Sequence, residues 1–322
     1  MNRSIRATTS MLAVATTAVL ALAGCSAATT SESGAPAQDA VVRLAATSPM
    51  SWAQPHVVAN EGGWEEAGID LEQTEFATGR EALQALLGGG ADIAEVSASN
   101  VVSAAYAGND VVVLGRGGTW GSWNVLADAD SGIEEAGDLV GKRVGVTTGT
   151  SSEIALTSFL TENGVDVKSV ELVNISPADM TSALASGSVD AVNPWQPNAT
   201  KTIEELGDDV VALPYDYTQN YLIGTTRAYL DENPDTVERF LEAYGSADAT
   251  LTEDPGKAAA AVAEAAQIDE QTLRTVWEDY TFKTAPADEA VVDEMKDVAA
   301  LLTENGSVSG DVPDFASMFH TW

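Results

Sequence analysis

Gly141 to Glu153, GKRVGVTTGTSSE, reads as a buried strand that runs into a polar, glycine-containing turn and then a helix. Val144 and Val146 supply the apolar alternation of the strand. Thr147 to Ser152 bring hydroxyls and backbone N–H groups to the point where the helix begins, and Thr150 with Glu153 three residues on has capping-box spacing. The first four N–H groups of a helix lack internal partners and carry partial positive charge. Such a turn can therefore seat an anionic or polar group without a basic side chain. Thr148, Thr150, Ser151 and Ser152 are candidate ligand contacts on this ground; the alternative is that Thr150 only caps its helix.

The same grammar occurs a second time, earlier in the chain. Arg43 to Gln54, RLAATSPMSWAQ, aligns with Arg143 to Ile154 at an offset of 100. Ala67 to Asp70 aligns with Asn163 to Asp166 at 96, and Ala85 to Asn100 with Ala183 to Asn198 at 98, which sets Asp92 over Asp190. Offsets this close point to two copies of one β-α-β-α-β unit rather than to a short repeat array.

The first residues read as an address. Arg3 and Arg6 form a positive end, Met11 to Ala23 is too short and too rich in Thr and Ala for a membrane span, and Leu22-Ala-Gly-Cys25 closes the segment. This resembles a bacterial lipoprotein signal peptide with its lipobox. The resemblance implies a leader over 1–24, cleavage before Cys25, a lipid on Cys25, and anchoring on the extracytoplasmic face of the cell membrane. Cys25 is the one cysteine, so no disulfide, thiolate metal site or cysteine nucleophile is expected in the folded part, nor any cofactor. Residues 25–40 lack aliphatic runs and aromatics and read as a flexible tether.

The chain carries 15 basic and 49 acidic side chains. Such an excess disfavours nucleic acid and anionic membrane surfaces as partners. Pairs such as Glu65-Glu66, Glu134-Glu135 and Glu204-Glu205 spread the charge along the whole length, as a solvated surface does, and read as a solubility or salt-tolerance trait. The remaining chain is long enough to bury a sizeable core, organised as two lobes.

The pattern predicts strands at Val41–Thr47, Asp70–Phe76, Asp92–Val96 and Val111–Gly115, with helices between them. Arg116 to Trp123 reads as a flexible crossover; Tyr221 to Thr225 reads as the return strand, and helices run from Asn233-Pro234 to the end. Strands alternating with helices imply an α/β fold with a mostly parallel sheet in each lobe and ligands at the carboxyl ends of the strands. Residues 41–124 and 223–322 are assigned to lobe 1 and residues 125–222 to lobe 2, with hinges near Asn124–Ala127 and Asn220–Ile223.

GKRVGVTTGTSS, ELVNISPADMTSALASGSVDAVNPWQP and TTRAYLDENPDTVERFLEAY, in that order, together with the closing VPDFASMF, resemble the solute-binding lipoproteins of ABC importers for aliphatic sulfonates, taurine and nitrate. That family also includes binders of thiamine precursors. The resemblance covers roughly Val41 to the end and implies a two-lobed type II periplasmic-binding-protein architecture with two chain crossovers. It implies a monomer that traps a small solute between its lobes and delivers it to a membrane permease. One departure concerns the W-x-P motif, where the family commonly has an acid and this chain has Gln196. Fewer charges then flank the cleft, which leaves the substrate open within the family: an organosulfonate such as taurine, or nitrate, bicarbonate or a thiamine-precursor pyrimidine.

The duplicated geometry assigns Ser48, Met50, Trp52, Gly79, Arg80, Ser97, Ser99 and Asn100 to the first wall, facing Thr148 to Ser152 and Trp195 from the second. Trp120 or Trp123 lines the cleft while the other packs, and Tyr221 sits at the second crossover. Trp64, Trp277 and Trp322 read as packing residues, and Asp92 and Asp190 as turn formers. Arg80 is the candidate cation for an anionic ligand, with Arg116 second; either could equally be a surface arginine. Aromatic faces attract methylene groups and ammonium ions alike, which suits taurine better than nitrate. Two other classes stay open: an enzyme, although His56 and His320 have no evident partner for catalysis, and a sensory lipoprotein that reports to a protein partner.

Overall fold

A computed structural model describes residues 39–321. The expected leader, the Cys25 lipidation site, all but the end of the tether, and Trp322 lie outside those residues.

The first copy contains β1 (Ala40–Ala46), α1 (Gln54–Glu61), α2 (Gly63–Glu66), β2 (Ile69–Glu75), α3 (Gly79–Leu87), β3 (Ile93–Ser97) and α4 (Ala98–Tyr106). The long strand β4 (Val111–Asp128) leads to the second copy: β5 (Arg143–Val146), α5 (Ser151–Glu162), β6 (Glu171–Asn174), α6 (Met180–Ala185), β7 (Ala191–Val192) and α7 (Asn198–Leu206). A second long strand, β8 (Val210–Thr226), returns to α8 (Arg227–Glu232), α9 (Pro234–Glu253), α10 (Pro255–Ala266), α11 (Glu270–Trp277), β9 (Tyr280–Ala285) and α12 (Glu289–Glu304).

The fold is mixed α/β, and the nine strands among the described residues form one hydrogen-bonded sheet in the order β2-β1-β3-β8-β4-β7-β5-β6, with β9 beside β4. β1 pairs in parallel with β2 and β3, and β5 pairs in parallel with β6 and β7. The two copies match in register: Arg43 lies opposite Glu72 and Leu44 opposite Ile93, as Arg143 lies opposite Glu171 and Val144 opposite Ala191. Their turns match too, since Gly68 and Gly164 both take φ above +60°, at 63° and 71°, a region open to glycine without strain.

Each half buries apolar residues on both faces of its sheet, as parallel strands covered by helices require. In the first half α1, α9 and α10 cover one face around Leu44, Val57 and Phe240, and α3, α4 and α12 cover the other around Leu86, Val101 and Met295. In the second, α5 packs Leu156 and Leu160 against Val144 and Val146, while α6 and α7 pack Met180, Leu184 and Ala199 against Leu126 and Val192.

Arg116 to Trp123, read from sequence as a flexible crossover, is the middle of β4, an 18-residue strand. Its glycines mark irregularities in a continuous ladder, with register shifts at Val113/Gly115, Arg116/Gly118 and Trp120/Ser122. A Cβ at Gly118 would collide with the carbonyl of Thr281 on β9, so glycine here permits strand packing. The return strand expected at Tyr221 begins at Val210 and runs for 17 residues. β9 breaks the expected run of C-terminal helices. The helix expected between the first two strands is two helices, parted at Gly62, whose φ of 77° is left-handed.

Candidate functional site

A cleft of about 530 Å³, part of it open to solvent, lies where the N-termini of α3 and α4 from the first copy meet that of α5 from the second. Thr78 and Gly79 line it at α3, Ser97 and Asn100 at α4, and Thr150 and Ser151 at α5.

Each helix start is built locally. Thr78 accepts from the Glu81 N–H at 3.2 Å while its own N–H donates to Glu81 Oε2 at 3.1 Å, a complete capping box. At α4 the Asn100 amide oxygen accepts from the Ser97 N–H at 3.1 Å and the Ser97 hydroxyl at 2.9 Å. At α5 Thr150 accepts from the Ser152 N–H at 3.3 Å. The sequence predicts that Glu153 closes a box with Thr150, but its Oε2 takes the Gly149 N–H at 2.7 Å and its Oε1 takes the amide of Asn305 beyond α12 at 3.2 Å. Glu153 thus ties the turn before α5 to the C-terminal region.

Two further bonds cross from the first copy to that turn. Asn100 Nδ2 donates to Gly149 O at 3.3 Å, and Arg80 Nη1 donates to Thr148 O at 3.4 Å. Gly149 has φ of 75°, and a Cβ there would stand 3.3 Å from the Arg80 guanidinium. Glycine therefore meets both the backbone and the steric demand of this junction.

The remaining wall is aromatic. Trp52, Trp120, Trp195 and Tyr221 line the cleft. Trp52 and Tyr221 are tilted with centroids 5.0 Å apart, Tyr221 stacks on Tyr280 at 5.9 Å, and Tyr280 on Trp120 at 5.7 Å. This chain of rings fixes the wall by mutual packing. Burial raises the hydroxyl of Tyr221 well above the usual tyrosine range and that of Tyr280 to about 12, so both are neutral hydrogen-bonding groups at physiological pH. Of the two tryptophans the sequence leaves undecided, Trp120 lines the cleft and Trp123 packs, donating its indole N–H to Tyr217 O at 3.0 Å. Trp64 and Trp277 pack as expected, with indole N–H groups donated to Pro55 O and Met50 O.

Glu95, in the middle of β3, is the acid in this wall. It is 1% exposed, and its Oε2 accepts the Thr47 N–H at 2.8 Å, whereas Oε1 has no hydrogen-bond partner among the described residues. Burial pushes its carboxyl well above the ordinary 4.5; the Thr47 N–H opposes that shift and the neighbouring Glu75 adds to it. In the second copy the aligned residue is Asn193, fully buried with its group satisfied: Oδ1 accepts from the Tyr215 hydroxyl at 2.9 Å and Nδ2 donates to Ser152 O at 2.8 Å.

Ten of the residues assigned to the cleft from sequence line it: Ser48, Trp52, Gly79, Ser97, Asn100, Trp120, Thr150, Ser151, Trp195 and Tyr221. Five do not. Met50 is fully buried and borders a separate cavity with Pro197 and Thr200. Ser99 bonds Ser97 from behind, and Ser152 is fully buried with its hydroxyl on Asn193 O at 2.6 Å. Thr148 is exposed, its N–H taken by Asn174 Oδ1. Arg80 is exposed and turned to Thr148 O, and Arg116 pairs with Asp288 at 3.1 Å. Asp92 and Asp190 serve as structural anchors, each gripping its strand's arginine, Arg43 or Arg143. Gln196, the departure in the W-x-P motif, accepts from the Thr200 N–H and hydroxyl at the start of α7.

Sequence reasoning passes over Thr47, Ser51, Thr78, Glu95 and Gln219, all of which line the cleft. Thr78 carries a T-x-x-E signature that could have found it. Glu95 is the single acid within Ile93-Ala-Glu-Val96, an apolar run of the kind a central strand buries.

Among proteins of known name, a putative aliphatic sulfonates-binding protein of Bacillus subtilis is 26% identical over 293 residues, covering 88% of this chain and 85% of that protein. The solved structure of the alkanesulfonate-binding protein SsuA from Xanthomonas axonopodis pv. citri bound to MOPS gives a TM-score of 0.74 at 20% identity, covering 88% of this chain and 99% of that one. The periplasmic aliphatic sulphonate binding protein SsuA from Escherichia coli gives 0.74 at 20%, covering 87% and 97%. These likenesses establish a periplasmic-binding-protein fold. Residues 53–258 match the family model described as NMT1/THI5 like, and the chain belongs to that family.

Proposed function

We propose that the protein is an extracytoplasmic receptor that captures a small organosulfonate of the taurine type between its two halves and hands it to an ABC permease. The observation that carries this reading is the cleft itself, where helix N-termini from both copies converge beside a wall of stacked rings. Oriented N–H groups suit an oxyanion, and the rings suit a short carbon chain or an ammonium group. The names of the sulfonate-binding relatives support the substrate class. Among the described residues that line the cleft there is no histidine, cysteine or lysine, which favours capture over turnover.

The lipobox at Leu22–Cys25 supports a lipid anchor on Cys25 and a tether to residue 40. The paths of β4 and β8, which pass from strands of one copy to strands of the other, support lobes of 41–124 with 223–322 and of 125–222. A single cleft between two halves of one chain supports a monomer that closes on its solute. The ring-lined wall favours, as a second reading, a flat heteroaromatic solute such as hydroxymethylpyrimidine, the alternative carried by the resemblance.

The test is a thermal-shift screen of the purified full chain against taurine, alkanesulfonates, nitrate, bicarbonate and hydroxymethylpyrimidine. A solute at 100 times its Kd adds about 2.7 kcal/mol of stability. An organosulfonate is expected to raise Tm, and Trp195→Ala to abolish the shift. A response to the pyrimidine alone removes the sulfonate and leaves the receptor.

A further inference from the structure

The two copies of the repeat place a polar residue at aligned positions, Glu95 in β3 and Asn193 directly after β7, and treat it differently. Asn193 has partners for both ends of its amide within its own half. Glu95 is as deeply buried, yet one of its two oxygens meets no donor among the described residues. A buried acceptor left unpaired costs on the order of 1–3 kcal/mol, more when it is charged, so a fold that keeps one at a cleft keeps it for something that arrives.

What arrives must bring a donor. Glu95 lines the cleft, as do Thr47, Ser97, Trp52 and Trp120. No lysine, arginine or histidine lines the cleft among the described residues, so no cation of the protein neutralises this carboxyl. The two arginines that the sequence brings to mind are engaged elsewhere, Arg80 on Thr148 O and Arg116 on Asp288. An acid that burial holds toward its neutral form gains both a hydrogen bond and a stabilising charge from an ammonium, and gains neither from a bare anion.

We propose that Glu95 accepts a hydrogen bond from a protonated amine of the solute, so that the cleft selects ammonium-bearing molecules over their anionic counterparts without nitrogen. The proposal rests on the reading of the cleft as an organosulfonate site and narrows it: the acid group meets the helix N-termini, and the ammonium meets Glu95. Glu95 is the residue that sets specificity, and Thr47 positions it through the backbone N–H.

The test compares taurine with ethanesulfonate, which has the same sulfonate and carbon chain and no nitrogen, by isothermal titration on the full chain in mild detergent. Ethylenediamine serves as an amine without sulfonate. Glu95→Gln keeps an oxygen for the Thr47 N–H while removing the charge, and its unliganded Tm reports whether the fold is intact. Taurine is expected to bind roughly 30-fold tighter than ethanesulfonate, as one charged hydrogen bond allows. E95Q is expected to bring taurine to the ethanesulfonate level and leave ethanesulfonate unchanged. Equal binding of the two sulfonates, or a taurine preference that survives in E95Q, overturns the role of Glu95 and leaves the sulfonate receptor standing. Binding of ethylenediamine alone, lost in E95Q, upholds Glu95 and removes the sulfonate. No binding by any of the three overturns both.

Discussion

Thr47 donates its backbone N–H to one carboxyl oxygen of Glu95, a residue that lines the cleft, at 2.8 Å, and the other oxygen has no hydrogen-bond partner among the described residues. This bond joins the residue that follows β1 to the middle of β3, so the acid is aimed from within the sheet. A ligand that pairs with it therefore meets a group whose position is set before binding.

The pH response of the solute-free protein follows from the burial of Glu95. Its folded-state pKa is raised, so above the ordinary 4.5 the folded protein holds a proton that the unfolded chain has lost. Stability then falls as pH rises from that value toward the folded pKa. The groups facing the carboxyl are the Thr47 N–H, Glu75, which adds to the penalty, and Tyr244, whose own buried hydroxyl is neutral. Glu95→Gln is expected to be the more stable protein at pH 8 and to match the parent at pH 4, as measured by urea denaturation. An ammonium ligand should reverse the trend: it needs the ionised form, so its affinity rises with pH across the same window.

Glu294 on α12 offers a second titration, beside the neighbour of a cleft residue. Its carboxylate accepts from the Asn220 side-chain amide at 2.7 Å, next to Tyr221 in the wall, and burial raises it to about 7. The sign is the same as for Glu95, with stability lost as pH climbs from 4.5 to about 7. Glu294→Gln is expected to flatten this part of the stability profile, by an amount on the order of 1–3 kcal/mol between pH 4 and 8. An unchanged slope would place the titration elsewhere.

Gly79→Ala tests the packing of the α3 start against the α4 cap. A Cβ at Gly79 would stand 2.6 Å from Asn100 Oδ1, the oxygen that accepts from Ser97. Overpacking of this kind costs about 1–3 kcal/mol, to be read from the shift in the denaturation midpoint at constant slope. Because Asn100 also donates to Gly149 O across the cleft, solute affinity should fall in the same variant.

Arg80→Ala separates a clasp between the halves from a ligand contact. Arg80 is exposed, and its guanidinium reaches Thr148 O at 3.4 Å without lining the cleft. Exposed contacts of this kind contribute little, so the Kd for taurine is expected to stay within about threefold of the parent. A loss of a hundredfold or more in titration calorimetry would return Arg80 to the site.

The repeat was legible because its physical anchors recur at fixed spacing. Arg43 with Asp92 and Arg143 with Asp190 make the same ion pair in both copies, at 2.5 and 2.7 Å, and their positions alone align the strands. The helix start at Thr150 was legible from capping chemistry and that at Ser97 from the repeat, and both residues line the cleft. The glycines of β4 were not, because Gly115 to Gly121 carries the composition of a loop and only the partner strands show that these residues are bulges. Arg80 stayed open between ligand contact and surface arginine for a related reason: a cation at a helix start reads either way until the opposing Thr148 carbonyl is in place. Glu95 was overlooked because charge in the chain is abundant, and only its burial separates it from the solvated acids.

The central claim is that Ser97 from one copy and Trp195 from the other close on a single solute. Hydrogen exchange by mass spectrometry, with and without saturating taurine on the full chain, tests it most directly. The account predicts protection that appears together at residues 95–101 and 148–154, one stretch from each half, at the same half-saturating concentration. Protection confined to one half, or none at either stretch while taurine is bound, would contradict it.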